Sequence, residues 1–387
     1  MRRNRIRATV LVMGSITLAG LGTIAAGARW PQTSRNPIVP LAHPTVASHV
    51  AGLTPDPTHG YSFIAFGDQR ALIGGDWQRL IRSVDSVSAR DPRLLFLVDT
   101  GDIVDNGSRS DQFGLLADVL GAVRRLPYAV GVGNHEVEND LPGPSRANVA
   151  RFLSSIGQPI GPDRLYYTMS VGRVRYLFLD SNDLVYKGTD QNAEAVAARA
   201  AAQMEWLTRT LQDPAWGPEA TTVVVMHHPL VQSSAKHRAQ SRALWSYTWK
   251  GRRLPDILAD GGVDLILTGH THTYERFRLE RTDGRGFVLM NLSGKPEPSF
   301  LWFGAGARRA RDIHGSEEPW LSENGWRNLK GWRITQDDVM DDDEEESNQY
   351  GVFKIDGDGG ITVAMRFIER PAAEPSVRLI WGTPPRR

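Results

Sequence analysis

"VDLILTGHTHTYER", residues 263–276, decides how this chain is read. Its first six residues are apolar and β-branched enough to be a buried strand, and they stop at Gly269. His270 and His272 then follow on alternate positions of a loop, with Tyr274, Glu275 and Arg276 behind them. One histidine after a strand is ordinary. Two presented together suggest a group that takes two imidazoles at once, as a metal ion does. In open α/β sheets ligands bind outside the carboxyl ends of the strands, so the other strands should end in the same kind of chemistry.

They do. "YSFIAF" (61–66) runs into "GDQR", which places Asp68 and Arg70. "RLLFLV" (93–98) runs into "DTGDIVDNG", with Asp102 and Asp105. "PYAVGV" (127–132) precedes "GNHE", with Asn134 and His135, and "TTVVVM" (221–226) precedes "HHP", with His227 and His228. Each motif alone has a plain structural explanation, since a Gly-Asp after a strand is usually a turn. Together, five strand ends offer carboxylate, amide and imidazole side chains with no sulfur, a set that suits Fe, Zn or Mn. Six such ligands, two Asp, one Asn and three His, exceed what one tetrahedral zinc uses. Two ions sharing a carboxylate is the economical arrangement.

The rest of the chain fits an α/β layered domain. A further strand is expected at "VRYLFL" (174–179), and helical spacing occurs at 76–89, 110–126, 193–212 and 254–261. Runs at 286–293, 350–356 and 360–368 have no helices between them and predict added antiparallel strands. Residues from about 294 to 349 interleave tryptophan, glycine and charge and close on "DDVMDDDEEE"; they read as a long surface insertion. The tail 371–387 is Pro-rich. At the other end, Arg2, Arg3, Arg5 and Arg7 precede an uncharged apolar stretch ending in "AGA" (26–28). This predicts a signal peptide or membrane anchor over 1–28, then a linker over 29–59, and places the main domain, 60–370, on the exported side. A membrane is expected to be met only through that N-terminal segment.

Composition removes several classes of function. The 387 residues include no cysteine, so disulfides, thiolate metal sites and cysteine nucleophiles are excluded. A net charge of +1 and the lack of an aromatic–basic face give no expectation of nucleic-acid binding. Two readings of different class remain: an enzyme, and a metal-binding surface or partner module with little catalysis.

The ordered set "GD…GDIVDNG…GNHE…MHHP…GHTHTYER" resembles the calcineurin-like metallophosphoesterase superfamily, including its purple acid phosphatase branch, over about residues 60–370. The resemblance implies an αββα fold, with two mixed β-sheets packed as a sandwich flanked by helices. It implies a phosphomonoester or phosphodiester hydrolase with two divalent or mixed-valence ions, acting on a phosphorylated small molecule or nucleotide by attack of metal-bound hydroxide. Asp102 would bridge, Asp68 and His272 would bind the first ion, and Asn134, His227 and His270 the second. His135 would lie at the leaving group, oriented by Asp105. Two positions depart from the pattern: Arg70 stands where many members have a histidine ligand, and Asp105 where purple acid phosphatases have a tyrosine. Arg70, His228 and His237 are candidates for contact with substrate phosphate, with Lys236 and Arg238 beside His237.

Overall fold

The computed structural model describes residues 60–70, 76–217, 219–232, 237–272, 274–293, 331–339, 349–368 and 377–380. The expected signal or anchor, the linker, Lys236 and most of the insertion lie outside the described residues. In chain order the strands are β1 (Gly60–Phe66), β2 (Leu94–Asp99), β3 (Tyr128–Val130), β4 (Tyr167–Val171), β5 (Val174–Phe178) and β6 (Thr221–Val225). A two-strand ribbon, β7 (Thr248–Trp249) and β8 (Arg252–Arg253), precedes β9 (Leu265–Thr268), β10 (Tyr274–Arg281) and β11 (Gly286–Leu292). The last four are β12 (Trp332–Val339), β13 (Gln349–Asp356), β14 (Ile361–Phe367) and β15 (Val377–Ile380).

Two mixed sheets result. One has the order β15-β14-β13-β1-β2-β3, the other β12-β10-β11-β9-β6-β5-β4. Within them β1, β2 and β3 run parallel, as do β5, β6, β9 and β11, while the remaining pairs are antiparallel. Alternation along the strands builds the layers. From β1, Tyr61, Phe63 and Ala65 enter a core shared with Tyr176, Val225 and Leu267 of the second sheet. Ile64 and Phe66 point the other way, onto Trp77, Leu80 and Phe113 from the helices Asp76–Arg90 and Ser110–Leu120. The outer face of the second sheet, with Leu177, Val224 and Ile266, packs on Met204 and Leu207 of the helix Ala193–Leu211. Helices, sheet, sheet and helices are thus joined by three apolar cores, and the expected sandwich is present.

Every strand expected from the sequence is found, within a few residues. Four further long-sheet strands are not obvious in it: β4, β10, β12 and β15. The segment read as a surface insertion contributes β12, whose Trp332 and Ile334 are buried against the second sheet, and the tail contributes β15, paired with β14. Antiparallel pairing with β10 and β14 makes strands of these two short stretches. The helix expected over 110–126 ends as an α-helix at Leu120. Among the described residues no helix is long and apolar enough to cross a membrane.

The parallel strands position the polar residues, because they deliver their carboxyl ends to one edge. The ends are tied to each other by main chain: Thr100 N–H donates to Phe66 O (2.9 Å), Gly131 N–H to Asp99 O (2.8 Å) and Gly269 N–H to His227 O (3.0 Å).

Phe63 carries the centre of the sandwich. It is fully buried, stacks on Phe96 (5.3 Å between centroids) and Phe353 (4.7 Å), and meets Tyr176 edge-on at 5.6 Å. Phe63→Ala should cost about 3–5 kcal/mol in urea unfolding. Leu141→Ala, at a residue 53% exposed, should stay within about 0.5 kcal/mol of the wild type.

Candidate active site

Six of the nine non-glycine residues with left-handed φ among the described residues sit at this edge: Asp68 (62°), Arg70 (38°), Asp102 (57°), His237 (62°), His270 (72°) and His272 (58°). Such a conformation costs of order 1–3 kcal/mol each, so its concentration here marks loops shaped for something other than stability. Asp68 N–H donates to Gly101 O and Arg70 N–H to Asp102 O, both at 2.9 Å, so the first two loops are laced together. A glycine precedes four of the key residues. A Cβ on Gly133 would overlap the Asp102 carboxylate, and one on Gly269 would overlap that of Asp68.

His227 is the meeting point. It is fully buried, and its Nδ1–H donates to Thr100 O at 3.1 Å, which fixes the tautomer. Nε2 then faces Asn134 Oδ1 (3.1 Å), His270 Nδ1 (3.1 Å) and Asp102 Oδ1 (3.3 Å). On the other side, Asp68 accepts the His270 N–H at 2.9 and 3.0 Å and the Ser293 hydroxyl at 2.6 Å, with His272 Nε2 at 3.8 Å. Arg70 Nη2 lies 3.3 Å from His272 Nε2 and 3.7 Å from Asp102 Oδ2. His135 lies at the rim, with Nε2 3.8 Å from Asp102 Oδ2.

The charges are strongly interdependent. Burial pushes the Asp102 carboxyl up, but His227, then His135 and Arg70, hold it well below the ordinary range. Burial opposes the His227 imidazolium, yet Asp102, with help from Asp68 and Glu136, lifts it to about 9. Burial and then the neighbouring histidines hold His270 well below its usual value, and burial and then His227 do the same to His228.

This donor set fits a cation on grounds independent of likeness. Ligands bonded at about 2.0–2.2 Å around one ion stand roughly 3–3.5 Å apart, as the groups around His227 Nε2 do. Asp102 Oδ2 is buried with no hydrogen-bond partner among the described residues, a costly condition for a polar atom. The ligand atoms of Asp68, Asp102 and His227, and those of His227, His228 and His270, lie within 4.8 Å of one another. His228 is nevertheless the weaker ligand of that group, because both its nitrogens are engaged. Its Nδ1 is 2.9 Å from Ser181 Oγ and its Nε2 3.3 Å from Tyr186 OH.

The structure therefore gathers Asp68, Arg70, Asp102, Asn134, His135, His227, His270 and His272. The ring of His237 joins them 4.1 Å from that of His270. His228 is fully buried, with its ring nitrogens facing Ser181 and Tyr186. Asp105 reaches His135 through its main chain: Nδ1–H donates to the Asp105 carbonyl at 2.7 Å, while the carboxylate oxygen is 3.9 Å away. Some residues escaped the sequence reading. Glu136, fully buried, accepts three amides: Asp102 (2.8 Å) and Gly133 (2.7 Å) at Oε2, Val104 (3.1 Å) at Oε1. Burial, then Asp102, raise its carboxyl to about 7. Asn182 Nδ2 donates to Val132 O and Gly133 O, both at 3.2 Å. The glycine standing before Asp68, Asp102, Asn134 and His270 was the sequence signal for this close packing of loops.

Residues 58–274 match the family described as calcineurin-like phosphoesterase. Purple acid phosphatase 21 of Arabidopsis thaliana is 28% identical over 262 residues, 66% of this chain and 52% of that protein. A phosphoenolpyruvate phosphatase of Allium cepa is 24% identical over 273 residues, 65% of this chain and 50% of that protein. The chain thus spans about half the length of these curated relatives. In fold it resembles the purple acid phosphatase PPD1 from yellow lupin (Lupinus luteus) seeds, with a TM-score of 0.52 at 14% identity, covering 83% of this chain and 54% of that one.

Asp99, at the end of β2, offers a test of how this edge carries charge. It is fully buried, accepts the Tyr128 hydroxyl (2.6 Å) and the Gly101 N–H (2.9 Å), and burial raises its carboxyl well above the ordinary value. A group raised on folding contributes stability that is whole below the unfolded pKa and is lost as pH rises toward the folded one. Asn is the isostere of the protonated acid. Asp99→Asn should match the wild type near pH 4 and gain on it as pH rises, by at most about 1.4 kcal/mol per pH unit and levelling off once the folded carboxyl ionises, measured by urea unfolding from pH 4 to 7. Asp99→Ala should lose stability throughout.

Proposed function

This chain belongs to the calcineurin-like phosphoesterase family, and from that membership we propose that its edge cluster is the hydrolytic site of a metal-dependent phosphoesterase. The observation that carries the reading is the convergence of Asp102, Asn134 and His270 on His227 Nε2 at 3.1–3.3 Å. One cation would be held by Asp102, Asn134, His227 and His270, and a second by Asp68, Asp102 and His272, with Asp102 common to both. Such a pair supplies a water acidic enough to ionise near neutral pH and a clamp on phosphoryl oxygens. The donor set suits Fe, Zn or Mn.

The chain's own residues do the rest. Glu136 and Asn182 hold the Asp102 and Asn134 loops at a fixed separation, so the phosphorus is met by preset groups. His135 is turned by the Asp105 carbonyl so that Nε2 faces the cleft, where it delivers a proton to the departing oxygen. His237, beside His270 at the rim, is the imidazole placed to hold a phosphoryl oxygen. The substrate is a phosphorylated small molecule or a nucleotide, as a monoester or a diester. The basic, apolar N-terminal stretch supports export, with the domain outside the cytoplasmic membrane.

Asp102→Asn should lose cation binding and turnover together. His135→Ala should keep its cations, by elemental analysis, and turn over about a hundredfold or more slowly. The assay is hydrolysis of p-nitrophenyl phosphate and bis-p-nitrophenyl phosphate after loading with Mn or Zn. Full rates from His135→Ala on an ester with a poor leaving group would remove that residue from the reaction. Loaded wild type inactive on both esters would instead point to a metal-binding partner module.

A further inference from the structure

Arg70 stands within the second of the two cation positions. Its Nη2 is 3.3 Å from His272 Nε2 and 3.7 Å from Asp102 Oδ2. A guanidinium only donates and stays charged. At His272 it must therefore point an N–H at Nε2, and Nε2 must answer with its lone pair. That is the lone pair a cation held by Asp68, Asp102 and His272 would need. The arrangement is built in, because the Arg70 N–H is bonded to Asp102 O at 2.9 Å and its φ is left-handed. The main chain is pinned, whereas the side chain is 14% exposed and can turn toward the cleft. The position around His227 differs. His270 is flanked there by the rings of His228 and His237, at 4.3 and 4.1 Å.

We propose that Arg70 is a resident counter-charge in the Asp68–Asp102–His272 position. The first ion enters beside His227 without displacing it. The second enters only when the guanidinium swings out, so the two bind in sequence with unequal affinity. The swing has a use: a planar fork released toward the cleft matches a phosphate. An anion that draws Arg70 out must also tighten the second ion, since linkage between two ligands is reciprocal. The inference rests on reading the cluster as a two-cation site.

The test is titration of the metal-stripped full chain with Mn(II), followed by calorimetry and by electron paramagnetic resonance, which separates isolated from exchange-coupled Mn(II). The wild type should bind one ion tightly and a second at least about tenfold more weakly, and added inorganic phosphate should narrow that gap. Arg70→Ala and Arg70→Gln should bind the second ion at least about tenfold more tightly than the wild type, with no response of the gap to phosphate. Arg70→Lys, which keeps the charge, should preserve the gap. Circular dichroism identifies which variants are folded, and the glutamine variant carries the test if the alanine one is not. Equal affinities in the wild type, or a gap unchanged in a folded neutral variant, overturns the proposal. If no protein in the series binds an ion, the two-cation reading itself fails.

Discussion

The Glu136 carboxylate, sunk between two loops and accepting three main-chain N–H groups, is the contact on which the edge depends. Asp102 and Asn134 come from different strands, and nothing in the parallel pairing of β2 with β3 sets how far apart their loops stand. Glu136 does, because one of its oxygens takes the amide of Asp102 and the amide that precedes Asn134. A neutral acceptor with a single oxygen would leave the Val104 amide unmet, and an unmet buried donor costs about 1–3 kcal/mol. This clamp brings Gly133 close to Asp102, sets the bond from His135 N–H to Asp102 Oδ1 at 3.0 Å, and lets Asn134 reach His227.

The edge is assembled at the expense of stability. Asp68, Asp99, Asp102 and Glu136 are all at most 1% exposed, and several neighbours hold left-handed backbone. A lone loop would relax such an arrangement. Here it is over-determined by what lies behind it: a sandwich core with Phe63, Phe96, Phe353 and Tyr176 in ring contact, and helices packed on both outer faces. The site lies where the carboxyl ends of both parallel sets meet, so every strand that positions a ligand is also gripped by one of those cores. This is how a fold can hold like charges together without any of them being exposed.

The sequence showed the strands that carry the site because they are buried on both faces and read as unbroken apolar runs. It also showed the polar residue after each run. It did not show β10 or β12, where charged and apolar residues mix and pairing, not composition, makes the strand. Glu136 is in plain view inside "GNHE", with no neighbour in sequence to single it out. Its role comes from Asp102 and Val104, more than thirty residues away, and no local pattern encodes that. Asp105, which the family resemblance implied would orient His135, makes its 2.7 Å bond through the carbonyl, an atom every residue has, with the carboxylate 3.9 Å away.

The paired histidines show why residue type alone could not assign roles. Neighbouring residues leaving a strand point to opposite sides. His227 leaves β6 toward Thr100 and Asp102 of the first sheet, while His228 turns to Ser181 and Tyr186 beyond β5. One imidazole keeps a nitrogen for the cluster, and the other uses both of its nitrogens on hydroxyl groups. His270 and His272, two apart, are held on one side, but left-handed backbone at both residues spreads them between different neighbours. His270 reaches His227, and His272 reaches Arg70 and Asp68. The division of the cluster into two positions around Asp102 therefore comes from strand parity at one end and backbone handedness at the other. The histidines alone, being alike, could not have produced it.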